Sequence, residues 1–197
     1  MPVGTIIGLA FLIFVGVTIF KGVRIVPQGY KWIVQRLGKY HATLSPGLNF
    51  VIPYVDEVAY KVTTKDIVLD IPSQEVITRD NAVLVMNAVA YINLTTPEKA
   101  VYGIENYTWA IQNLVQTSLR SIVGEMDLDD ALSSRDHIKA KLKAAISDDI
   151  SDWGITLKTV EIQDIQPSTT MQAAMEAQAA AERQRRATAV SYTHLTL

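Results

Sequence analysis

Residues able to carry acid–base or metal chemistry are few in this chain of 197 residues. It contains no cysteine, and His41 and His137 are the only histidines before the last seven residues. Neither has a second ligand at the spacing that a helical zinc site requires. Two pairs of carboxylates are adjacent in the sequence: Asp129 with Asp130, and Asp148 with Asp149. Neighbouring side chains point to different sides of a helix, so we interpret these pairs as helix caps and surface charges.

Motifs for nucleophilic or phosphate chemistry are also absent. The sequence has no G-x-S-x-G elbow, no P-loop and no G-x-G-x-x-G turn. A formal net charge of −2 and a pI of about 5.9 give no electrostatic footprint for nucleic acid. We therefore predict a non-enzyme that binds no metal, cofactor or nucleic acid.

The N-terminal stretch predicts a membrane anchor over residues 1–21. No side chain from Met1 to Phe20 is charged, and a helix of that length covers the roughly 30 Å of a bilayer's hydrocarbon core. A secretory signal would carry its basic residues before the apolar run, and a buried core helix would have a polar face. The anchor residues that we single out are Thr5, Ile6, Leu9, Phe11, Phe14, Val17 and Phe20.

Charge asymmetry predicts the orientation of this anchor. Five basic residues precede the first acidic residue, Asp56: Lys21, Arg24, Lys31, Arg36 and Lys39. The positive-inside rule then places everything after residue 20 in the cytoplasm. We expect Lys21 and Arg24 to contact lipid headgroups.

Residues 22–95 alternate in the manner of β-strands. Turns are predicted at Pro27–Gly29 and Ser45–Gly47, with a strand beginning at Tyr30 between them. LNFVIPYV follows the second turn and has two interpretations: a buried strand, or a loop that dips into the bilayer interface. The side chains that this loop would insert are Leu48, Phe50, Ile52 and Tyr54. DIVLDI predicts a strand with one wet face, and AVLVMNAVAYINL a strand covered on both faces.

Residues 96–166 predict helices followed by one more strand. Thr96 is placed to cap a short helix with Pro97 in its first turn and Gly103 at its end. The apolar stripe of the next helix is Ile111, Leu114, Val115, Leu119, Ile122, Val123 and Met126. That of a further helix, capped by Ser134 and ended by Gly154, is Ile138, Leu142, Ala145, Ile146 and Trp153. In ITLKTVEIQDIQP the apolar phase slips, which predicts a bulge before the strand ends at Pro167.

Residues 167–190 are rich in strong helix formers. They predict either a solvated single helix or the start of a coiled coil that docks on a partner helix, and no heptad repeat decides between the two. The seam of that coiled coil would be Met171, Ala174, Met175, Gln178 and Ala181. The final SYTHLTL, residues 191–197, departs abruptly from this composition, and we interpret it as foreign sequence.

Several stretches together resemble one family. In chain order they are RIVPQGYKWIVQRLGKY, SPGLNFVIPYVDEV, LDIPSQEVITRDNAVLVMNAVAYINL, AIQNLVQTSLRSIVGEMDLDDALSSRD and WGITLKTVEIQDI. They resemble the stomatin/prohibitin/flotillin superfamily (SPFH, band 7), nearest to bacterial stomatin-like proteins. The resemblance covers residues 22 to 186. It implies an α+β domain of mixed sheet and packed helices in two lobes, 22–95 and 96–166, followed by a coiled coil.

The same resemblance implies large membrane-attached homo-oligomers that organise membrane microdomains and modulate membrane proteases or channels. Implied partners are membrane lipids, further copies of the chain, and a membrane-bound ATP-dependent protease or an NfeD-type membrane protein. The implied location is the bacterial inner membrane. Eukaryotic stomatins carry a proline-bent membrane hairpin and palmitoylated cysteines. This span has no proline after Pro2, so we expect one full crossing, and we expect the chain to be a fragment that lacks most of its coiled coil.

Three functions follow as hypotheses. The first is an oligomeric scaffold at the membrane, which organises microdomains and modulates membrane protein quality control. The second is a regulatory subunit of one membrane protease or channel. The third, a membrane-anchored hydrolase, needs a nucleophile and a base that the sequence does not supply.

Overall fold

The computed structural model describes the backbone of residues 3–193 and the side-chain environments of residue 4 and residues 7–185. Its helices are α1 (Val3–Gly22), α2 (Pro97–Gly103), α3 (Tyr107–Gly124), α4 (Leu128–Ser133), α5 (Arg135–Asp152) and α6 (Thr169–Thr193). Its strands are β1 (Val23–Val26), β2 (Tyr30–Arg36), β3 (Lys39–Leu44), β4 (Gly47–Phe50), β5 (Asp56–Thr63), β6 (Ile67–Ile77), β7 (Val83–Leu94) and β8 (Ile155–Pro167). The α+β class predicted from the sequence is confirmed.

The chain forms two compact units, and each is assembled from three stretches. Unit 1 comprises residues 1–67, 91–107 and 148–158, and unit 2 comprises residues 68–90, 108–147 and 159–197. The strands β7 and β8 and the helix α5 each contribute residues to both units. The division into consecutive lobes 22–95 and 96–166 stays a prediction. The two compact units are divided at different residues from these lobes.

Two small antiparallel arrangements form the N-terminal part of unit 1. Strands β1 and β4 make a two-stranded ribbon, and β3, β2 and β5 pair in that order. The turn between β1 and β2 is the predicted one, with Gly29 at φ +84°. The pairing of β2 with β5 shifts register between Ile33 and Val34, so both of these consecutive side chains are buried.

A small apolar cluster supports these strands. Its buried members are Val26, Val34 and Leu44, one from each of β1, β2 and β3. Packed against them are the partly buried side chains Trp32, Val51 and Val58. Strands β1, β2, β3 and β5 therefore each contribute an apolar side chain to the same cluster, and Val51 adds one directly after β4. The cluster fixes the ribbon against the three-stranded sheet.

Helix α2 joins unit 1 through a close backbone approach. Thr96 occupies its N-cap position but makes no side-chain capping bond, contrary to the predicted role. The N–H groups of Thr95 and Thr96 instead donate to the carbonyl oxygen of Gly154, at 3.1 and 2.9 Å. Gly154 has φ +72°, as its predicted left-handed position requires.

In unit 2, helices cover a sheet in which β7 lies between β6 and β8. No residue of β7 is exposed: one face is buried and the other is partly buried, in agreement with the predicted strand that has cover on both faces. The buried face of α3 is Ile111, Val115, Leu119, Ile122 and Val123, as its period predicts. In α5 the prediction of Ala145 as a core residue is wrong, because Ala145 is exposed, and the buried side chains are those of Ile138, Leu142, Ile146 and Ile150.

The short helix α4 was not predicted, and a distant turn caps it. The Leu128 N–H donates to the Asp80 carboxylate at 3.2 Å, and the Asp80 side chain also accepts a hydrogen bond from the Thr78 hydroxyl. These bonds, the Thr78 bond first, lower the pKa of Asp80. Arg79 of the same turn forms an ion pair with Asp127, the residue at the N-cap of α4. The turn between β6 and β7 thus holds the start of α4.

The predicted foreign tail, residues 191–197, falls mostly beyond the described part of the chain. Residues 191–193 belong to α6, whose side chains are described only as far as residue 185, and residues 194–197 lie outside the described residues. The interpretation of this tail stays a prediction.

Candidate membrane-facing surface

The ribbon of β1 and β4 presents an apolar face to solvent. Val23 pairs with Phe50 and Ile25 with Leu48, and side chains of opposed residues in an antiparallel pair share a face. Phe50 is 72% exposed, and Ile25 and Leu48 are exposed as well. The interpretation of LNFVIPYV as a buried strand is therefore wrong, because its first half is a strand whose large side chains are not covered.

The turn after β4 extends this face. Ile52 and Tyr54 are exposed, and Tyr54 has φ +74°. Beside this turn lies the connection between β2 and β3, since the Leu37 N–H donates to the Val55 carbonyl at 3.4 Å. Leu37 is 84% exposed and has φ +49°. The side chains that we call the apolar surface are those of Ile25, Leu37, Leu48, Phe50, Ile52 and Tyr54.

Leu37 and Tyr54 are unusual in displaying large side chains from a left-handed backbone. Left-handed conformations are costly for residues other than glycine, and they persist where the surrounding structure holds them. Neither side chain is buried in return for this cost. Sequence patterns missed Leu37 and Ile25, because a single apolar residue in a polar turn or a short strand has no periodic signal.

An ion pair holds the turn. The Asp56 carboxylate accepts hydrogen bonds from Arg36 Nε at 2.6 Å, from Arg36 Nη2 at 3.0 Å and from the Ile52 N–H at 2.8 Å. Its side chain is only 3% exposed. These bonds, the one from Arg36 first, lower the pKa of Asp56 to about 2, and the same pair raises the pKa of Arg36. Asp56 therefore stays ionised and fixes the turn at neutral pH.

The turn is also tied to the end of α1. The Val51 N–H donates to the Gly22 carbonyl at 2.8 Å, which places the start of the turn beside the last residue of the helix. A Cβ at Gly22 would lie 2.8 Å from the Val51 carbonyl oxygen, so the close approach requires glycine. The apolar surface and α1 are therefore joined by both the chain and a hydrogen bond.

Helix α1 spans 20 residues and exposes apolar side chains on all sides. The predicted anchor residues that are described are all exposed: Leu9, Phe11, Phe14, Val17 and Phe20. Thr5 and Ile6 lie outside the residues whose side chains are described. Within the described residues, no helix combines the length and apolarity that crossing a membrane requires.

The two predicted headgroup contacts lie where the helix meets the ribbon. Lys21 and Arg24 are both exposed. The Lys21 ammonium lies 5.8 Å from the centroid of the Tyr54 ring, at a distance typical of a cation–π contact. Arg24 has no hydrogen bond or ion pair within the described part of the chain.

The predicted seam lies on α6. Met171 is half-buried, whereas Ala174, Met175, Gln178 and Ala181 are exposed. Within the described part of the chain, no other element covers these four side chains. The role of this stripe as a seam stays a prediction.

Residues suited to acid–base chemistry are scattered. His41, His137 and the two aspartate pairs all lie on exposed positions. Among the described residues, no three side chains of the metal-binding types form a group that would hold an ion. Asp129 and Asp130 lie in the first turn of α4, where the helix dipole favours acidic residues, in agreement with their interpretation as structural charges.

Comparison with known proteins gives this arrangement its family. The family model described as SPFH domain / Band 7 family matches residues 24–192. The chain belongs to that family. The resemblance seen in the sequence is thereby confirmed, and the α+β arrangement of sheets and helices agrees with the SPFH domain.

Similar proteins occur in archaea, bacteria and mitochondria. An uncharacterized protein of Methanocaldococcus jannaschii is 41% identical over 169 residues, which are 86% of this chain and 84% of that protein. An uncharacterized protein of Mycobacterium tuberculosis is 38% identical over 188 residues, 93% of this chain and 49% of the relative. Human mitochondrial stomatin-like protein 2 is 38% identical over 166 residues, 84% of this chain and 47% of the relative. The chain thus spans about half the length of the mycobacterial and human SPFH relatives.

Proposed function

We propose that this SPFH protein is a membrane-anchored oligomeric scaffold that organises membrane microdomains and modulates membrane protein quality control. The observation that carries the proposal is the apolar surface, six exposed large side chains joined to the end of a predominantly apolar helix. Soluble proteins rarely leave so contiguous an apolar patch in water. Membership of the SPFH family supports the membrane-associated role.

In this proposal the N-terminal stretch of residues 1–21, which includes residues whose side chains lie outside the described part of the chain, crosses the bilayer once. The apolar surface rests in the interface on the cytoplasmic side. Phe50 and Tyr54 then lie at headgroup depth, where aromatic side chains are favoured. Lys21 and Arg24 face the headgroups, and the absence of charge before Lys21 lets the N-terminus cross. A reporter that is active only in the cytoplasm should be active when it is fused after residue 190. Digestion of the fused protein by external protease in spheroplasts would contradict the orientation.

Self-association supplies the scaffold. Four of the five side chains of the predicted seam on α6 are exposed. A helix of Ala and Met buries little area per turn, so α6 needs neighbouring copies or a longer continuation to be stably packed. Anchoring to a membrane confines the chains to two dimensions and raises their effective concentration. Weak contacts through Met175 and its neighbours then suffice in the membrane.

Fluorescent labelling tests the membrane contact directly. The chain contains no cysteine, so Leu48→Cys gives a single attachment site for an environment-sensitive dye. In vesicles, nitroxide-bearing lipids should quench the dye at residue 48. They should quench it less in the control Gln28→Cys, an exposed residue of the polar turn between β1 and β2. Equal quenching at both sites would refute the orientation of the apolar surface.

Crosslinking tests the assembly. In vesicles, a bifunctional maleimide should join copies of Met175→Cys, and it should join fewer copies of the control Ala177→Cys, which lies on the other side of α6. Particles that form from the purified chain alone support a scaffold. Particles that require a membrane protease or channel indicate the alternative function, a dedicated regulatory subunit.

A further inference from the structure

Two neighbouring cavities of unit 1 open where α1 meets the ribbon. The first, of about 450 Å³, is lined by Phe20, Lys21, Val23, Arg24, Val51, Pro53, Tyr54 and Asp56. The second, of about 310 Å³, is lined by Arg24, Trp32, Val51, Asp56, Glu57, Val58 and Lys61. Because they share Arg24, Val51 and Asp56, they lie side by side, and we call them together the cationic cleft.

The cleft has an excess of positive charge. Asp56 is neutralised by its two hydrogen bonds from Arg36, and a third bond, from the Ile52 N–H, occupies the same carboxylate. Glu57 is the other acidic residue of the walls. Three cations line the same walls: Lys21, Arg24 and Lys61.

Aromatic rings hold two of these cations without neutralising them. The Lys61 ammonium lies 4.7 Å from the centroid of Trp32, and that of Lys21 lies 5.8 Å from the centroid of Tyr54. A ring face orients a cation but carries no net charge, so both ammonium groups keep their full charge for an anion. Arg24, between the cavities, has no partner within the described residues and offers the planar donors that suit a phosphate.

The walls of the cleft are partly apolar. Trp32, Val51 and Val58 pack on their other side against the buried cluster of Val26, Val34 and Leu44. Phe20, the last aromatic residue of α1, lines the first cavity and is 86% exposed. An anion held by Arg24 therefore lies beside an apolar side chain of the proposed anchor.

From this juxtaposition we propose that the cationic cleft is a discrete site for the phosphate of an anionic phospholipid, whose acyl chains follow the exposed apolar side of α1. Lys21 and Arg24 bind the phosphate in the first cavity, and Lys61 binds a second anionic or hydroxyl group of the headgroup in the second cavity. The inference rests on the proposed membrane association. It goes beyond a diffuse attraction, because a diffuse field would not require Lys61 in particular.

The test compares three substitutions in unit 1, each of which removes one positive charge. The full chain is placed in bilayers of mixed zwitterionic and phosphatidylglycerol lipid. The protein is then released from the bilayer, and the lipids that stay bound to it are counted by native mass spectrometry. Lys61→Gln and Arg24→Gln should each reduce the enrichment of phosphatidylglycerol about fivefold, as expected for one basic group near lipid headgroups. Lys65→Gln removes the same charge from an exposed lysine beside Gly29, outside the cleft, and should leave the enrichment unchanged.

The outcomes separate this inference from the proposed function. Equal losses for Lys61→Gln and Lys65→Gln, or no enrichment in the wild type, would overturn the site even if every variant stays in the bilayer. Competition by millimolar glycerol phosphate at unchanged lipid composition would indicate a site for small phosphates and would also overturn it. A wild-type chain that does not associate with bilayers would refute the membrane role itself.

Discussion

Replacing Phe50 by serine should weaken binding to membranes by a predictable amount. Phe50 is 72% exposed, which for a phenyl side chain of about 200 Å² amounts to about 145 Å². At about 25 cal/mol per Å², complete removal of this area from water is worth about 3.6 kcal/mol. A ring that inserts with half of its exposed area would lose about 1.8 kcal/mol, or about 20-fold in the partition coefficient.

The assay uses a chain that starts at residue 22, so that α1 does not mask the effect, and vesicles of mixed zwitterionic and anionic lipid. Co-sedimentation over a range of lipid concentrations gives the partition coefficients of the wild type and of Phe50→Ser. Ile77→Ser is the matched control, because Ile77 is apolar and 58% exposed but belongs to unit 2. We expect a large loss for the first variant and none for the second.

Three results would refute this reasoning. If Phe50→Ser remains folded and binds vesicles as tightly as the wild type, the ring does not enter the interface. If Phe50→Ser unfolds, as judged by circular dichroism, Phe50 is a structural residue in spite of its exposure. Equal losses for both variants would indicate unspecific adsorption of apolar side chains.

Three further predictions concern stability, each measured by urea unfolding of the chain that starts at residue 22. Because the pKa of Asp56 is lowered from 3.8 to about 2, its contribution is complete above about pH 4 and is lost as the pH falls toward about 2. Asp56→Asn should therefore be less stable than the wild type at neutral pH, and the difference should shrink over that window; a constant difference would contradict the ion pair. Gly154→Ala should cost about 1–3 kcal/mol, because its Cβ would lie 2.5 Å from the Thr96 carbonyl oxygen at φ +72°, whereas Gly103→Ala, with open space around it, should stay within about 0.5 kcal/mol. Leu84→Ala, at a fully buried position of β7, should cost about 2–5 kcal/mol, and a smaller loss would mean that the sheet collapses around the cavity.

Much of the fold follows from local patterns in the sequence. The three- and four-residue period of α3 and the apolar residues on both phases of β7 agree with the burial of these two elements. Burial on one side of a helix, or on both sides of a strand, leaves a direct mark on the sequence. Pro167 and Gly154 ended their elements as expected, since each imposes a backbone constraint of its own.

The features that were missed depend on contacts between distant residues. Helix α4 has six residues, and its start is held by Asp80, 48 positions away, which no local pattern reveals. Ala145 was misplaced because alanine is tolerated at both buried and exposed helix positions. At the candidate surface, LNFVIPYV was identified from its composition. Leu37 joins that surface only through the pairing of β2 with β5, which sets its turn beside Val55.

The interleaving of unit 1 has a consequence for how the protein is made. Residues 1–67 leave the ribosome first, but the unit is complete only when residues 148–158 arrive and Gly154 accepts its two hydrogen bonds from Thr95 and Thr96. At about 5–20 residues per second, the delay between residue 67 and residue 158 is about 5–18 s. In the proposed membrane role, α1 and the ribbon are ready to meet the bilayer during that interval. The lipid then covers the exposed apolar side chains of the incomplete unit 1 and protects them from aggregation until β8 is synthesised.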